Sequence, residues 1–107
     1  MSKYRAVRTN GYASKREAKR AAELRLLFTS GVILDLREQV AFDLLPAAPV
    51  LGYKQPLRYV ADFCYRDFMG GIVGPEIVED VKGIRTPVYK LKKRLMAQLL
   101  GITITEV

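Results

Sequence analysis

The sequence predicts a single α+β (α/β) domain, a mixed sheet flanked by helices in the order α-β-β-β-α-β. Two segments carry apolar residues at helical spacing, and four others show the continuous or alternating apolar pattern of strands. The length of 107 residues, half of them hydrophobic, suits one small domain with a modest core. We therefore assign residues 14–107 to this domain and the basic, non-periodic residues 1–13 to a flexible arm.

The first helix begins at Ser14 and ends at Ser30 and Gly31. Ser14 and Glu17 have the spacing of a capping box, in which each side chain accepts a hydrogen bond from a free backbone N–H. The apolar positions of this helix recur three or four residues apart, at Ala18, Ala21, Leu24 and Phe28. Glu17 falls in the middle of that stripe on a helical wheel, so we expect it to point inward.

Three strands and a second helix follow. Residues 31–46 and 57–67 are rich in β-branched and large apolar residues, residues 68–75 turn the chain, and residues 76–83 form the third strand. Thr86 as N-cap and Pro87 as first residue begin the second helix, which ends at Gly101. Its inward stripe is expected at Val88, Leu91, Leu95 and Leu99, and residues 102–107 alternate as a closing strand.

The composition excludes several classes of active site. The chain has no histidine and one cysteine, which excludes Ser-His and Cys-His nucleophile pairs, HExxH zinc sites, cysteine-rich zinc sites and an internal disulfide. No apolar run approaches the length of a membrane span, and the first residues lack the core of a signal peptide. We therefore expect a cytoplasmic protein that does not associate with a membrane.

The charge is unevenly distributed along the chain. Eighteen Lys and Arg against eleven Asp and Glu leave a net charge of +7, concentrated in residues 1–25 and 82–107, with an acidic stretch between them. This pattern fits a polyanion held around a cluster of carboxylates. A solvated surface with a basic bias is the alternative.

Three acidic residues lie where burial is expected. Glu17 is on the inner face of a helix, Asp62 interrupts the most apolar strand, and Asp80 shares a strand face with Val78 and Lys82. Simple alternatives exist, since Glu17 can act only as a cap and Asp80 can form an ion pair with Lys82. A second and third strand paired as a hairpin would, however, bring Asp62 within reach of Asp80.

Two adjacent carboxylates repel each other unless a cation neutralises them. With only oxygen ligands present, Mg²⁺ or Mn²⁺ fits this cluster better than Zn²⁺. Such a metal activates water and polarises a phosphoryl oxygen, while a nearby lysine stabilises negative charge in the transition state. Phosphodiester hydrolysis is therefore the chemistry that this group of residues predicts.

The same residues resemble those of a known superfamily. Asp62, followed by Asp80, Val81 and Lys82 after a turn and preceded by a helical glutamate, is similar to the PD-(D/E)XK nuclease pattern. The segments SKREA, YVADFCY, VEDVKG and VYKLKKRL further resemble small phage-encoded members near the Holliday junction resolvases. The resemblance implies a restriction-endonuclease-like core and a metal-dependent DNA endonuclease, with branched DNA as a candidate substrate.

The resemblance also implies a role for each matching residue. Asp62 would be the central metal ligand, Asp80 the second acidic ligand, and Glu17 the helical residue that completes the metal shell. The Val81 carbonyl is a further candidate ligand, and Lys82 would be the catalytic lysine. This chain has Ala61 where many members have proline. Glu79 has the opposite strand parity from Asp80 and is left out of the site, although a local bulge would exchange the two.

Basic residues on both helices are candidates for contacts with DNA phosphates. These are Lys15, Arg16, Lys19, Arg20 and Lys92, joined by Lys3, Arg5 and Arg8 of the arm. Lys92 lies near the apolar stripe of its helix, where a stem that covers the core is the alternative role. Three tyrosines are candidates for stacking on unpaired bases, with simple packing as the alternative: Tyr4, Tyr12 and Tyr89.

A DNA-binding or scaffold protein that does not cut is the main alternative function. A basic RNA-binding protein would explain the net charge but not the inward carboxylates. Because one small domain cannot cut both strands of a duplex symmetrically, we expect a homodimer. Its contact is expected at Phe68 and Met69 or in the loop 46–56.

Overall fold

A computed structural model describes residues 11–82 and 84–107 of the chain. The elements are α1 (Lys15–Thr29), β1 (Ile33–Leu45), a short 3₁₀ turn (Pro49–Leu51), β2 (Leu57–Met69), β3 (Ile72–Asp80), α2 (Pro87–Leu100) and β4 (Thr105–Glu106). The α+β class and the order α-β-β-β-α-β are confirmed. Residues 1–10, with the basic side chains and Tyr4 of the arm, lie outside the described residues.

The four strands form one mixed sheet in the order β1-β2-β3-β4. The first three are antiparallel neighbours, and β4 runs parallel to β3. A parallel pair needs a crossover connection, and α2 provides it. β2 is therefore a central strand with a partner on both sides, as its apolar sequence predicts.

A helix covers each face of the sheet. Ala21 and Leu24 of α1 pack with Ile33, Phe63 and Tyr65 in one buried cluster. Tyr89 and Met96 of α2 pack in a second cluster, whose strand residues include Tyr59, Ala61, Cys64 and Val78. Cys64 is a buried free thiol in this second cluster, where it packs as a small core residue.

Helix α1 begins as its sequence predicts. The Ser14 hydroxyl accepts a hydrogen bond from the Glu17 N–H at 3.1 Å. The Glu17 carboxylate accepts from the Ala13 N–H at 3.1 Å, one residue before the cap. Residues 11–13, assigned to the arm from sequence, thus contact the domain, and the Tyr12 hydroxyl donates to Glu38 at 2.6 Å. Phe28, expected in the inward stripe, is 46% exposed.

The β2–β3 hairpin is longer than expected because its turn is only two residues. Gly70 and Gly71 both have positive φ, at 60° and 76°, as a tight type I′ turn requires. Met69 therefore pairs directly with Ile72. Pro75 does not end the strand, because β4 pairs only with Glu79 and Asp80 and leaves the edge beside Pro75 open. Residues 102–104, expected in the closing strand, precede the short β4.

Helix α2 has the expected ends but a different buried face. Thr86 caps it, Pro87 is its first residue, and Gly101 ends it at φ 68°. The expected stripe is wrong at Val88, Leu91 and Leu99, which are 62%, 56% and 50% exposed. Its fourth residue, Leu95, packs against the second cluster, where Tyr89 and Met96 are buried. Within the described residues, no helix combines the length and apolar character that a membrane crossing needs.

Candidate functional site

The two central aspartates lie at a fork between β2 and β3. The β2–β3 ladder has Phe63 paired with Glu79, and Asp62 and Asp80 are the next residues along the two strands. Beyond this point β2 pairs with β1 through Ala61, while β3 pairs with β4 through Asp80. The N–H of Val81 donates to Asp62 Oδ2 at 2.8 Å. A side-chain carboxylate thus takes the place of the next ladder bond.

The backbone of β2 changes its facing at Asp62. Tyr59 and Ala61 belong to the α2 cluster, whereas Phe63 and Tyr65, which have the same parity, belong to the α1 cluster. Strict alternation would keep all four on one face. This local change lets Asp62 interact with groups on both sides of the sheet.

Asp80 is buried in contact with three other side chains. Its Oδ2 accepts a short hydrogen bond from the Tyr59 hydroxyl, and its Oδ1 lies 3.3 Å from Lys82 Nζ. The neighbouring Asp62 carboxyl also interacts with it electrostatically. Burial first, and then the neighbouring Asp62 carboxyl, raise the pKa of Asp80 to about 6. Burial likewise raises the pKa of Asp62.

Glu17 approaches Asp62 from the opposite side to Asp80. It is 6% exposed, and its Oε1 accepts from Gln39 Nε2 at 3.1 Å. Gln39 Nε2 also lies 3.4 Å from Asp62 Oδ1, and the Glu17 carboxyl interacts directly with that of Asp62. Glu17 therefore caps the helix and faces the site at the same time.

An open pocket lies over this group. It has a volume of about 390 Å³ and is lined by Glu17, Gln39 and Asp62 together with residues 11–13. Its acidic floor and open side are suited to a hydrated cation or to a phosphate that brings one.

The donor chemistry of the site fits a hard divalent cation. Asp62 and Asp80 are neighbouring carboxyl groups whose pKa values are raised mainly by burial, and a cation of charge +2 would favour the ionised form of both. In residues 11–82 and 84–107, however, no three acidic or cysteine side chains converge closely enough to form a ready metal cage. The Asp62 and Asp80 pair is thus the core of the candidate site, with Glu17 one step away.

Lys82 lies beside the aspartate pair with its amine partly exposed. Besides Asp80, its Nζ contacts the face of the Tyr89 ring, 4.2 Å from the centroid, in a cation–π arrangement. The Lys82 carbonyl accepts from Arg16 Nη1 at 3.1 Å, and its N–H donates to the Val107 carbonyl at 3.2 Å. The side chain and the backbone of Lys82 are therefore both fixed by contacts.

Glu79 lies on the other face of the sheet, as strand parity predicts. Its carboxylate is fully buried and accepts two hydrogen bonds from Arg20, at 2.6 and 2.8 Å. The Tyr65 hydroxyl donates a third, at 2.6 Å. Arg20 was expected to contact DNA phosphates, but the structure commits its guanidinium to Glu79, because a buried carboxylate needs a charged partner.

A protein-family model described as "Protein of unknown function (DUF1064)" matches residues 1–103. The chain belongs to the DUF1064 family. No curated protein and no solved structure matches the chain.

The other expected phosphate contacts of this DUF1064 protein differ in their surroundings. Lys15 and Lys19 are exposed on α1, and Arg16 borders a small surface pocket with Lys19, Val81 and Val107. Lys92 is half-buried on α2 and makes no hydrogen bond or ion pair with any other residue that the structure describes. Tyr89 is buried with its hydroxyl on Glu106 at 2.6 Å, so it packs rather than stacking on bases.

Three residues of the site were not anticipated from the sequence. Tyr59 reaches Asp80, Tyr89 lies under Lys82, and Gln39 joins Glu17 to Asp62. The tyrosines carried a weak signal, since a buried tyrosine hydroxyl needs a partner. The sequence carries no signal for Gln39, because a polar residue is common on a half-exposed strand.

Proposed function

We propose that this protein is a metal-dependent DNA endonuclease of the PD-(D/E)XK type. The observation that supports it most strongly is the geometry of the strand fork. Asp62 and Asp80 follow the paired residues Phe63 and Glu79, and the Lys82 amine lies 3.3 Å from Asp80 Oδ1. Buried like charges destabilise a fold, so such a pair is expected where a bound cation or a reaction requires it.

The proposed cofactor is Mg²⁺, with Mn²⁺ as a substitute. Asp62 and Asp80 would hold it, with the Val81 carbonyl and Glu17 as further ligands. When bound, the ion would supply Lewis-acid activation of the attacking water and of the phosphoryl oxygen. Oxygen-only ligation favours these ions over zinc.

The protein's own groups prepare the site for this role. The Val81 N–H and the Tyr59 hydroxyl each bind one oxygen of an aspartate, which fixes the orientation of both carboxylates. The Lys82 ammonium supplies a positive charge beside them, where it would stabilise negative charge developing on a phosphate. Its contacts with Asp80 and the Tyr89 ring hold it in place before substrate arrives.

DNA is the proposed substrate because three exposed basic side chains share α1 with Glu17 and a half-buried lysine lies on α2. Lys15, Arg16 and Lys19 are on α1, the helix that carries Glu17, and Lys92 is on α2. They would bind backbone phosphates without selecting a sequence. Branched DNA, including four-way junctions, is the proposed preferred substrate.

Cleavage by the purified chain tests the proposal. A panel of supercoiled plasmid, nicked duplex, flap and four-way junction is incubated with Mg²⁺ or Mn²⁺. We expect cleavage by the wild type and loss of cleavage in Lys82→Ala and Asp62→Asn. Asp67→Asn, an exposed change on the same strand, and Lys90→Ala, an exposed lysine on α2, are the matched controls. Cleavage that survives in Lys82→Ala and Asp62→Asn would refute the assignment.

The second candidate is a DNA-binding or scaffold protein that does not cut. It is favoured by the lack of a three-residue metal cage among the described side chains. Both oxygens of Glu17 also already accept hydrogen bonds from the protein. Calorimetric titration with Mn²⁺ separates the two, because a non-catalytic binder should show no saturable site that depends on Asp62.

We also propose a homodimer in the cytoplasm. Exposed apolar side chains occur at both regions suggested for the contact: Met69 in the hairpin, and Val50, Leu51 and Tyr53 in the loop 46–56. Sedimentation equilibrium should give twice the mass of one chain. A Val50→Asp/Leu51→Asp variant should lower that mass if the loop forms the contact, and Met69→Asp should do so if the hairpin does.

A further inference from the structure

Gln39 has a backbone conformation that glutamine rarely adopts. It lies within β1, yet its φ is 52°, in the left-handed region that is unfavourable for residues other than glycine, asparagine and aspartate. Such strain persists only where the surroundings enforce it, and it concentrates at functional sites.

The side chain of Gln39 joins two carboxylates of the candidate site. Its Nε2 donates to Glu17 Oε1 at 3.1 Å and to Asp62 Oδ1 at 3.4 Å. A primary amide has two N–H donors and no net charge. It can therefore hold two carboxylates near each other while their negative charge stays available to a cation.

The remaining oxygens of these two carboxylates are held by the backbone. Ala13 N–H donates to Glu17 Oε2 at 3.1 Å, and Val81 N–H donates to Asp62 Oδ2 at 2.8 Å. In the part of the chain that the structure describes, Gln39 is the side chain that donates to both. Without it, repulsion between Glu17 and Asp62 would be free to separate α1 from the fork.

We infer that Gln39 is a positioning residue that holds Glu17 beside Asp62, so that this helical carboxylate can reach a divalent cation bound at the Asp62 and Asp80 pair. This inference rests on the proposed function. It goes further by naming the group that sets the distance between the helical ligand and the strand ligands. Outer hydrogen bonds of this kind typically change metal affinity by about ten- to a hundredfold.

β1 contains a matched control for this residue. Asp35 has nearly the same φ, 53°, but its side chain is 65% exposed and lies 3.8 Å from Arg66. Asp35→Gly and Gln39→Gly therefore make the same substitution at nearly the same φ on the same strand. Only Gln39→Gly removes the bridge between Glu17 and Asp62.

The test compares the full-length wild type, Gln39→Gly and Asp35→Gly by Mn²⁺ calorimetry, thermal melting and cleavage at increasing Mg²⁺. We expect both glycine variants to melt within a few degrees of the wild type. Gln39→Gly should bind Mn²⁺ about ten- to a hundredfold more weakly and need correspondingly more Mg²⁺ for cleavage. Asp35→Gly should match the wild type in both. If Gln39→Gly does not fold, Gln39→Asn, which tolerates the same φ but is one methylene shorter, replaces it.

Gln39→Glu tests independently whether side chain 39 lies between Glu17 and Asp62. It places a third carboxylate between Glu17 and Asp62, so the metal-free protein should melt lower, and Mn²⁺ should raise its melting temperature more than that of the wild type. Unchanged Mn²⁺ affinity in Gln39→Gly, or an equal loss in Asp35→Gly, would overturn the inference. A wild type that binds Mn²⁺ but cuts no DNA refutes the nuclease proposal. The Mn²⁺ affinities of Gln39→Gly and Asp35→Gly then still test the inference about Gln39. A wild type that binds no Mn²⁺ refutes both.

Discussion

Replacing Asp80 by asparagine should stabilise the metal-free protein while removing its proposed activity. The side chain of Asp80 is buried against Asp62, and at neutral pH both carboxylates are ionised at a cost in folding free energy. Asparagine has the same shape, can accept the Tyr59 hydrogen bond, and can donate its own N–H to Asp62. The substitution therefore replaces a repulsive contact by an attractive one.

The magnitude follows from the pKa of Asp80. A rise from the ordinary 3.8 to about 6 is about two units, which corresponds to about 3 kcal/mol of unfavourable interaction for the ionised form. This net shift already includes the favourable interaction with Lys82, which lowers the pKa of Asp80. The expected gain is therefore about 3 kcal/mol at pH 8.

The sign of the pH dependence is fixed by the same shift. Because the folded pKa lies above the unfolded value, the folded protein binds more protons between about pH 4 and 6. The contribution of Asp80 is therefore most favourable below pH 4 and is lost as the pH rises through 6. Wild-type stability in this window should fall relative to that of Asp80→Asn.

Urea unfolding in EDTA at several pH values measures this difference. In the presence of Mn²⁺ the order should reverse, since the wild type gains binding energy that the variant cannot. Asp67→Asn, an exposed change on β2, should alter neither curve. An Asp80→Asn protein less stable than wild type at pH 8 without metal would show that the aspartate pair does not repel, and the argument for a cation would fail.

Three further predictions concern residues around the site. Arg20→Ala should destabilise the fold by about 3 to 5 kcal/mol in urea unfolding, because it leaves Glu79 buried without a charged partner; a loss below 1 kcal/mol would contradict this. Lys19→Ala should reduce the slope of log binding constant against log salt by about one in DNA titrations, without changing the melting temperature. Tyr89→Phe should cost about 1 kcal/mol through the lost bond to Glu106. The Tyr89 hydroxyl and Arg85 lower the pKa of Glu106 to about 2, so the stability that Glu106 provides above its ordinary pKa of 4.5 is lost as the pH falls, and Tyr89→Phe should lose less of it.

Local signals in the sequence were enough to place the ends of the helices. Ser14, Thr86 and Pro87 act through hydrogen bonds and torsions within a few residues of themselves, so their effects do not depend on the rest of the fold. Gly101 ends α2 for the same reason. The turn at Gly70 was placed correctly, but residues 68–75 were assigned to it, whereas Met69 pairs directly with Ile72 and Pro75 lies within β3 on an open edge.

The buried face of α2 could not be read from hydrophobicity alone. The stripe of Val88, Leu91 and Leu99 is more apolar than the one that is buried, yet it faces outward. Tyr89 is buried because Glu106, on a strand formed after the helix, accepts its hydroxyl. That partner is fixed by the parallel crossover and not by the helix sequence, so the choice of face depends on tertiary structure.

The same distinction explains which parts of the site were predictable. A carboxylate on an inward face violates the usual rule of burial, so Glu17, Asp62 and Asp80 were visible in the sequence as three separate violations. A glutamine on a strand violates no rule, and the left-handed φ of Gln39 has no sequence signature. If the three carboxylates bind a cation, the ion explains their burial, and the conformation of Gln39 is explained by its role in orienting two of them. If they bind none, the protein keeps two neighbouring aspartates and a strained glutamine at a cost in stability. Asp80→Asn and Gln39→Gly would then both be stabilising and have no effect on metal binding, and that joint result would separate a structural cluster from a catalytic one.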